Sequence, residues 1–258
     1  MTTFQFLTNA WRWNFALLML SMLVLTGYLL AFGRKGRPIY LCAALAVFLF
    51  TLISPVNALA DGYLFSAHMV QHILLVLIVP ALLLLSLPQS FSLPRLLLGF
   101  THPLVGWIAG VGAMWFWHDP ALCNAATTSR AVFSIQTISL LLMGSLFWWQ
   151  VLAPRDADRL SPAGGIAYLF TACTACSVLG IILTFAPASI CSVYQHPVDR
   201  LGMLTTIRGD WGLTSEKDQQ IGGLLMWVPM CLIYLSAILA QLARWHAAPA
   251  PNTEELKA

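Results

Sequence analysis

The chain has 258 residues, of which 59 % are apolar and only 9 % charged, where an ordinary soluble domain is about 25 % charged. So little charge cannot clothe a soluble enzyme of this size, and so much apolar residue excludes a disordered chain or a small disulfide scaffold. The net charge of +3, with no large basic cluster, excludes a nucleic-acid partner.

What remains is an all-α polytopic membrane protein, with a mean hydropathy of +0.78. The apolar residues come in long unbroken runs rather than in alternation, which argues against an outer-membrane barrel. Seven stretches predict a seven-transmembrane-helix bundle, at about residues 14–33, 38–53, 62–87, 102–118, 131–153, 164–187 and 220–243. The first is too long for a cleaved signal sequence and is followed by Arg34, Lys35 and Arg37, so it reads as a retained anchor. The bundle occupies 1–246, and the polar, proline-containing tail 247–258 is expected to be disordered. Basic residues set the direction. Arg34, Lys35, Arg37, Arg95, Arg155, Arg159, Arg244 and Lys257 fall on one side, against Arg12, Arg130, Arg200, Arg208 and Lys217 on the other. This places the N-terminus outside and the C-terminus in the cytoplasm.

With that direction, polar residues gather at the outer end. The third span carries His68 and His72 at i, i+4, on one helix face, with Met69 beside them. His68 lies about 9 Å in and His72 about 6 Å deeper, at 1.5 Å per residue. The fourth span ends outside at Trp117 and His118, the fifth starts near Gln136, and the seventh starts at Asp218 and Gln219. Ionisable groups in a bilayer are costly and mark function. Imidazoles at this spacing can hold one metal ion, and a thioether from Met69, Met114 or Met226 shifts the choice toward Cu(I). His68, His72 and His118 are therefore the candidate ligands, with Met69, Gln136, Asp218 and Met226 beside them. The bland alternative is that the histidines only hydrogen-bond between helices. Asp218 could orient an imidazole or cap its own helix. Asp61 reads as a cap of the third span. His102, His196 and His246 are weaker candidates, at an interface, in a loop and in the tail.

The six cysteines divide by place. Cys173 and Cys176 have a C-x-x-C spacing that suggests redox or metal chemistry, yet they lie mid-span among Ala, Thr and Ser, which favours small-residue packing. Cys42 and Cys231 read as packing residues. Cys123 and Cys191 both fall at outer loop starts and are a candidate disulfide.

Four segments now carry a resemblance: HMVQH (68–72), WHDPAL (117–122), FWWQVLAPRDADRLSPAGGIAYLF (147–170) and DQQIGGLLMWVP (218–229), with LGIILTFAP (179–187) a softer fifth. Over about residues 54–229 the chain resembles the CtaG-type cytochrome c oxidase assembly factors. That resemblance implies a multi-pass protein of the bacterial inner (plasma) membrane, not an enzyme. It also implies a role in supplying copper to a maturing haem-copper oxidase, with oxidase subunits or a copper chaperone as partners. Family members carry further His and an acidic residue early in the fifth span, where this chain has Phe133, Gln136 and Thr137. Its loop 192–217 is also long, which suggests a partner of its own. Two other readings stay open. One is a haem-binding subunit of a respiratory complex, using His72 and His118 as axial ligands. The other is a structural subunit without chemistry. No nucleophile–base pair or phosphate loop supports an enzyme.

Overall fold

A computed structural model of the chain describes residues 2–94, 99–186 and 190–247. Prolines and small polar residues mark where the helices start. Helices α3 (Pro38–Ile53), α4 (Pro55–Ala60), α7 (Pro103–Trp117), α8 (Pro120–Thr128) and α10 (Pro162–Phe185) open with proline, whose missing N–H falls where a helix offers it no acceptor. Ser54, His102, Asp119 and Ser161 accept from the first turns of α4, α7, α8 and α10. Asn14 and Ser129 do the same for α2 (Phe15–Phe32) and α9 (Arg130–Leu152). A short α1 (Thr3–Asn9) precedes them, and α11 (Ser215–Ala247) closes the chain. Between α5 (Phe65–Ile73) and α6 (Val79–Ser86) lies one wide π turn, Leu74–Ile78, so the two run on as a single rod. Among the described residues there is no strand.

Among the described residues, five helices are long and apolar enough to cross a membrane: Phe15–Phe32, Phe65–Ser86, Arg130–Leu152, Pro162–Phe185 and Ser215–Ala247. Helices α3 and α7 are apolar but shorter. The surface is the inverse of a soluble protein's. Leu30, Ile108, Ile138, Phe170, Phe185 and Leu239 face outward, while His68, Gln71, His72, Gln136, Asp218 and Gln219 are buried. Water would penalise the first set and reward exposure of the second, whereas lipid does the opposite.

The Phe65–Ser86 rod is the axis of the bundle, packed by α3, α9 and α11. Pro80 has no N–H for the carbonyl of Val76, four residues back. That carbonyl lies against Gly144 of α9, where any Cβ would collide with it. The helix break and the glycine therefore let two backbones meet.

Several expectations change. The seventh span begins at Ser215 rather than 220, because Thr214 Oγ1 accepts from Lys217 N and Glu216 and Asp218 suit the positive helix start. It also runs through Ala247; residues 248–258 of the expected tail, with Lys257, and Arg95 lie outside the described residues. Asp61 does not cap the third span. It pairs with Arg12. The long loop folds back on the chain. Met203 and Ile207 are fully buried with Phe6, Ala58, Tyr63 and Leu64 in a second apolar cluster that roofs one end of the bundle.

The two ends differ in charge. Arg159 lies within electrostatic reach of Arg37 and Arg244, and Arg37 N donates to Ser86 O. The α2–α3 and α9–α10 connections, the end of α6 and the end of α11 thus share one end. The roof, α8 and the start of α5 share the other.

Candidate functional site

Beneath the roof, α5 presents His68 and His72 one turn apart. Their Nε2 atoms lie 3.1 Å from each other and the ring centroids 4.6 Å apart. His118 reaches the same place from the end of α7, with its ring centroid 4.9 Å from that of His72. All three are buried.

The tautomer of His118 follows from its partners. Its Nδ1 lies 2.5 Å from the carbonyl oxygen of Met114, which can only accept, so in the neutral ring Nδ1 carries the proton. The Nε2 lone pair then faces Met69 Sδ at 3.1 Å. Thioether sulfur has no proton to give. Two lone-pair donors therefore face each other with no hydrogen between them. His72 adds a buried Nδ1 without a hydrogen-bond partner among the described residues.

Other helices hold this arrangement in place. Asp218 Oδ2 accepts from Phe65 N at 2.7 Å, and Oδ1 accepts from Ser66 N at 3.1 Å and Ser66 Oγ at 2.5 Å. Asp218 therefore neither caps its own helix nor bonds an imidazole. It caps α5 from α11, because the first-turn N–H groups of α5 have no other acceptor there: Leu64 offers no side-chain cap. Gly222 admits Phe65 and Met69 Cγ, the latter 3.2 Å from where a Cβ would stand. Gln71 ties the back of α5 to Thr51 O and Asn57 Oδ1.

Met226 is fully buried one helical turn below Gly222, in the main apolar core. Gln136 is buried with its Nε2 unpartnered among the described residues, and no hydrogen bond joins it to the imidazoles. Among the described residues no three His, Cys, Asp or Glu side chains are arranged to close on one metal ion. The cluster is three imidazoles and a thioether, two of the imidazoles bonded to each other. His102 caps α7 at the opposite end, and His196 and His246 are exposed. Cys123 and Cys191 form a disulfide with Cα atoms 5.9 Å apart, joining α8 to the roof.

Tyr194 is a residue that sequence reasoning missed. Its ring centroid lies 6.1 Å from that of His68, and its hydroxyl donates to Ala60 O at 2.7 Å. Burial, then the carboxylates of Asp218 and Asp61, push its phenol well above the usual value, so it remains a donor. A lone Tyr in a polar loop gives no signal of this in sequence; only the folding of the loop over α5 brings it there.

Known proteins place the chain. An uncharacterized protein of Mycobacterium leprae is 23 % identical over 270 residues, covering 92 % of this chain and 40 % of the relative. One from Mycobacterium bovis is 22 % identical over the same length, covering 92 % of this chain and 39 % of the relative. The chain thus spans about two-fifths of the length of these curated relatives. No solved structure matches it. The family model for the cytochrome c oxidase caa3 assembly factor, Caa3_CtaG, matches residues 28–248, from the last turn of α2 through α11, and the chain belongs to that family.

Proposed function

We propose that the chain is a membrane-embedded, non-catalytic assembly factor that handles Cu(I) as cargo for a haem-copper oxidase in the bacterial plasma membrane. The observation that carries this reading is the facing pair of lone pairs on His118 Nε2 and Met69 Sδ, 3.1 Å apart. Two acceptors at that distance repel unless a cation sits near both. Imidazole with thioether is a donor set that prefers Cu(I) over harder ions. His68 and His72 adjoin it, and breaking their mutual bond would turn both Nε2 lone pairs toward the same ion. Oxidase subunits or a copper chaperone are the partners that such a cargo implies.

The bundle is read as one seven-span unit over 1–246, with α3 and α7 crossing despite their length. The roofed end, with the N-terminus, faces outward, and the Lys35, Arg37, Arg155, Arg159 and Arg244 end faces the cytoplasm. The positive-inside bias supports this, as does the disulfide at the roofed end, which belongs in an oxidising compartment.

A bis-imidazole haem fits less well. The His72 and His118 rings are packed edge to face with centroids 4.9 Å apart, which leaves no slot for a porphyrin between them. The deciding experiment is metal analysis with an absorption spectrum on purified wild type and on His68→Ala with His72→Ala. Copper in the wild type and about one equivalent less in the variant is the expected result. Equal copper in both overturns the site, and a Soret band overturns the cargo.

A further inference from the structure

Cys173 and Cys176 are spaced as a C-x-x-C pair, but the structure separates them. Cys176 turns toward the hydroxyl of Tyr234, 3.9 Å away. Cys173 instead meets Cys231 of α11, with the two sulfurs 3.3 Å apart and both thiols free. Ser177 Oγ stands 3.1 Å from Cys231 Sγ and 2.8 Å from the carbonyl of Cys173. The protons can be assigned in sequence. The carbonyl only accepts, so Ser177 gives it its hydrogen. Ser177 Oγ then accepts from the Cys231 thiol, and Cys231 Sγ accepts from the Cys173 thiol. The chain places one thiol proton between the two sulfurs, the proton that a cation held by both would displace.

We propose that Cys173 and Cys231 form a second, thiol-based site that takes a single soft monovalent cation, Cu(I), in the half-buried seam between α10 and α11. Cys231 lies 13 residues along α11 from Asp218, about 20 Å deeper at 1.5 Å per residue. The thiol pair is therefore not part of the imidazole cluster, and it rests on its own observation. Soft sulfur selects Cu(I). Zinc needs about four donors in a tetrahedron, and here the third thiol is turned away. The balance suits a low-dielectric interior. The Cys173 thiol, the Cys231 thiol and Cu(I) give a complex of one thiolate, one thiol and the ion, with one proton released to water. That complex is neutral, so no net charge is buried.

The test uses the full chain in detergent, without oxygen, with Cu(I) alone kept reduced by ascorbate. Wild type should show ultraviolet thiolate-to-copper absorption. It should persist in the His68→Ala, His72→Ala variant and vanish with one equivalent of copper in Cys173→Ser, Cys231→Ser. In the wild type, one equivalent of Cu(I) should shield Cys173 and Cys231 from N-ethylmaleimide, read by mass spectrometry, while exposed Cys42 stays reactive. This second measurement needs no variant to fold. Absence of the absorption in wild type overturns the proposal. So does its survival in the cysteine variant, equal alkylation with and without copper, or a Cys173–Cys231 disulfide in place of bound metal. Failure of the imidazole reading looks different: thiolate absorption with copper unaffected by the histidine changes.

Discussion

Met69 separates a ligand role from a packing role more cleanly than any histidine does. Its side chain is fully buried, and its sulfur faces His118 Nε2. Leucine has nearly the same volume, and such exchanges cost less than about 1.5 kcal/mol. Met69→Leu should therefore leave the thermal midpoint within a few degrees of wild type. If the sulfur binds Cu(I), affinity should fall about tenfold, or roughly 1.4 kcal/mol, in a competition titration against a Cu(I) chelator. An unchanged affinity would assign Met69 to packing and leave the imidazoles alone as donors. His118 depends on a similar local detail. Its proton is fixed on Nδ1 by a carbonyl of its own helix, so the orientation of the lone pair is set before any ion arrives.

The elements explain why some of this was legible in sequence and some was not. Apolar runs bounded by proline and a small polar cap give helix starts from local chemistry alone, and the i, i+4 spacing puts His68 and His72 on one face whatever surrounds them. Contacts between distant segments leave no such mark. Asp218 caps a helix that starts 153 residues earlier, and Cys173 meets a thiol 58 residues away rather than its C-x-x-C neighbour. The close approach of Gly144 to the carbonyl of Val76 is likewise a contact between separate helices. The cap is testable. Asp218→Ala would strand two buried N–H groups and a hydroxyl, so a loss of about 2–3 kcal/mol is expected, read as a lower midpoint in detergent. Asp218→Asn keeps an acceptor oxygen and should lose less. Equal stability of Asp218→Ala and wild type would mean that α5 needs no cap.

The roof has its own pH signature. Burial raises the Asp199 carboxyl and is the largest single influence, but N–H groups from Met203 at 2.8 Å and Leu204 at 3.2 Å, with the Tyr63 hydroxyl at 3.1 Å, together hold it below the ordinary value. A folded-state value below the unfolded one adds stability that is present above the unfolded value and lost as pH falls through the folded value. Limited proteolysis within 199–210 should therefore stay constant from neutral to mildly acidic pH and rise only below the usual carboxylate range. Asp199→Asn should raise cleavage at neutral pH and remove the acidic step. A roof that loosens at the usual histidine range instead would point to another group.

At the scale of the whole molecule, the arrangement of polar and apolar residues joins fold to function. An apolar exterior fixes the bundle in lipid, and one roofed end gathers the buried imidazoles. Replacing His72 by Ala should remove a donor without removing an anchor, because alanine is cheaper than histidine in a bilayer and the Phe65–Ser86 rod keeps its 22 residues. In a strain carrying His72→Ala, the oxidase should then keep its haem but lack copper, and its activity should fall with the copper. Added copper should restore part of that activity, since mass action can fill a weakly supplied site. A purely structural role gives another pattern, in which oxidase subunits disappear together and copper does not help. The same strain locates the site: a cysteine placed at Lys35 should resist an impermeant thiol reagent in intact cells if that end is cytoplasmic. Efficient labelling there would turn the imidazoles toward the cytoplasm. A fully active, copper-replete oxidase in the His72→Ala strain would remove this residue from copper delivery, leaving family membership as a statement about fold.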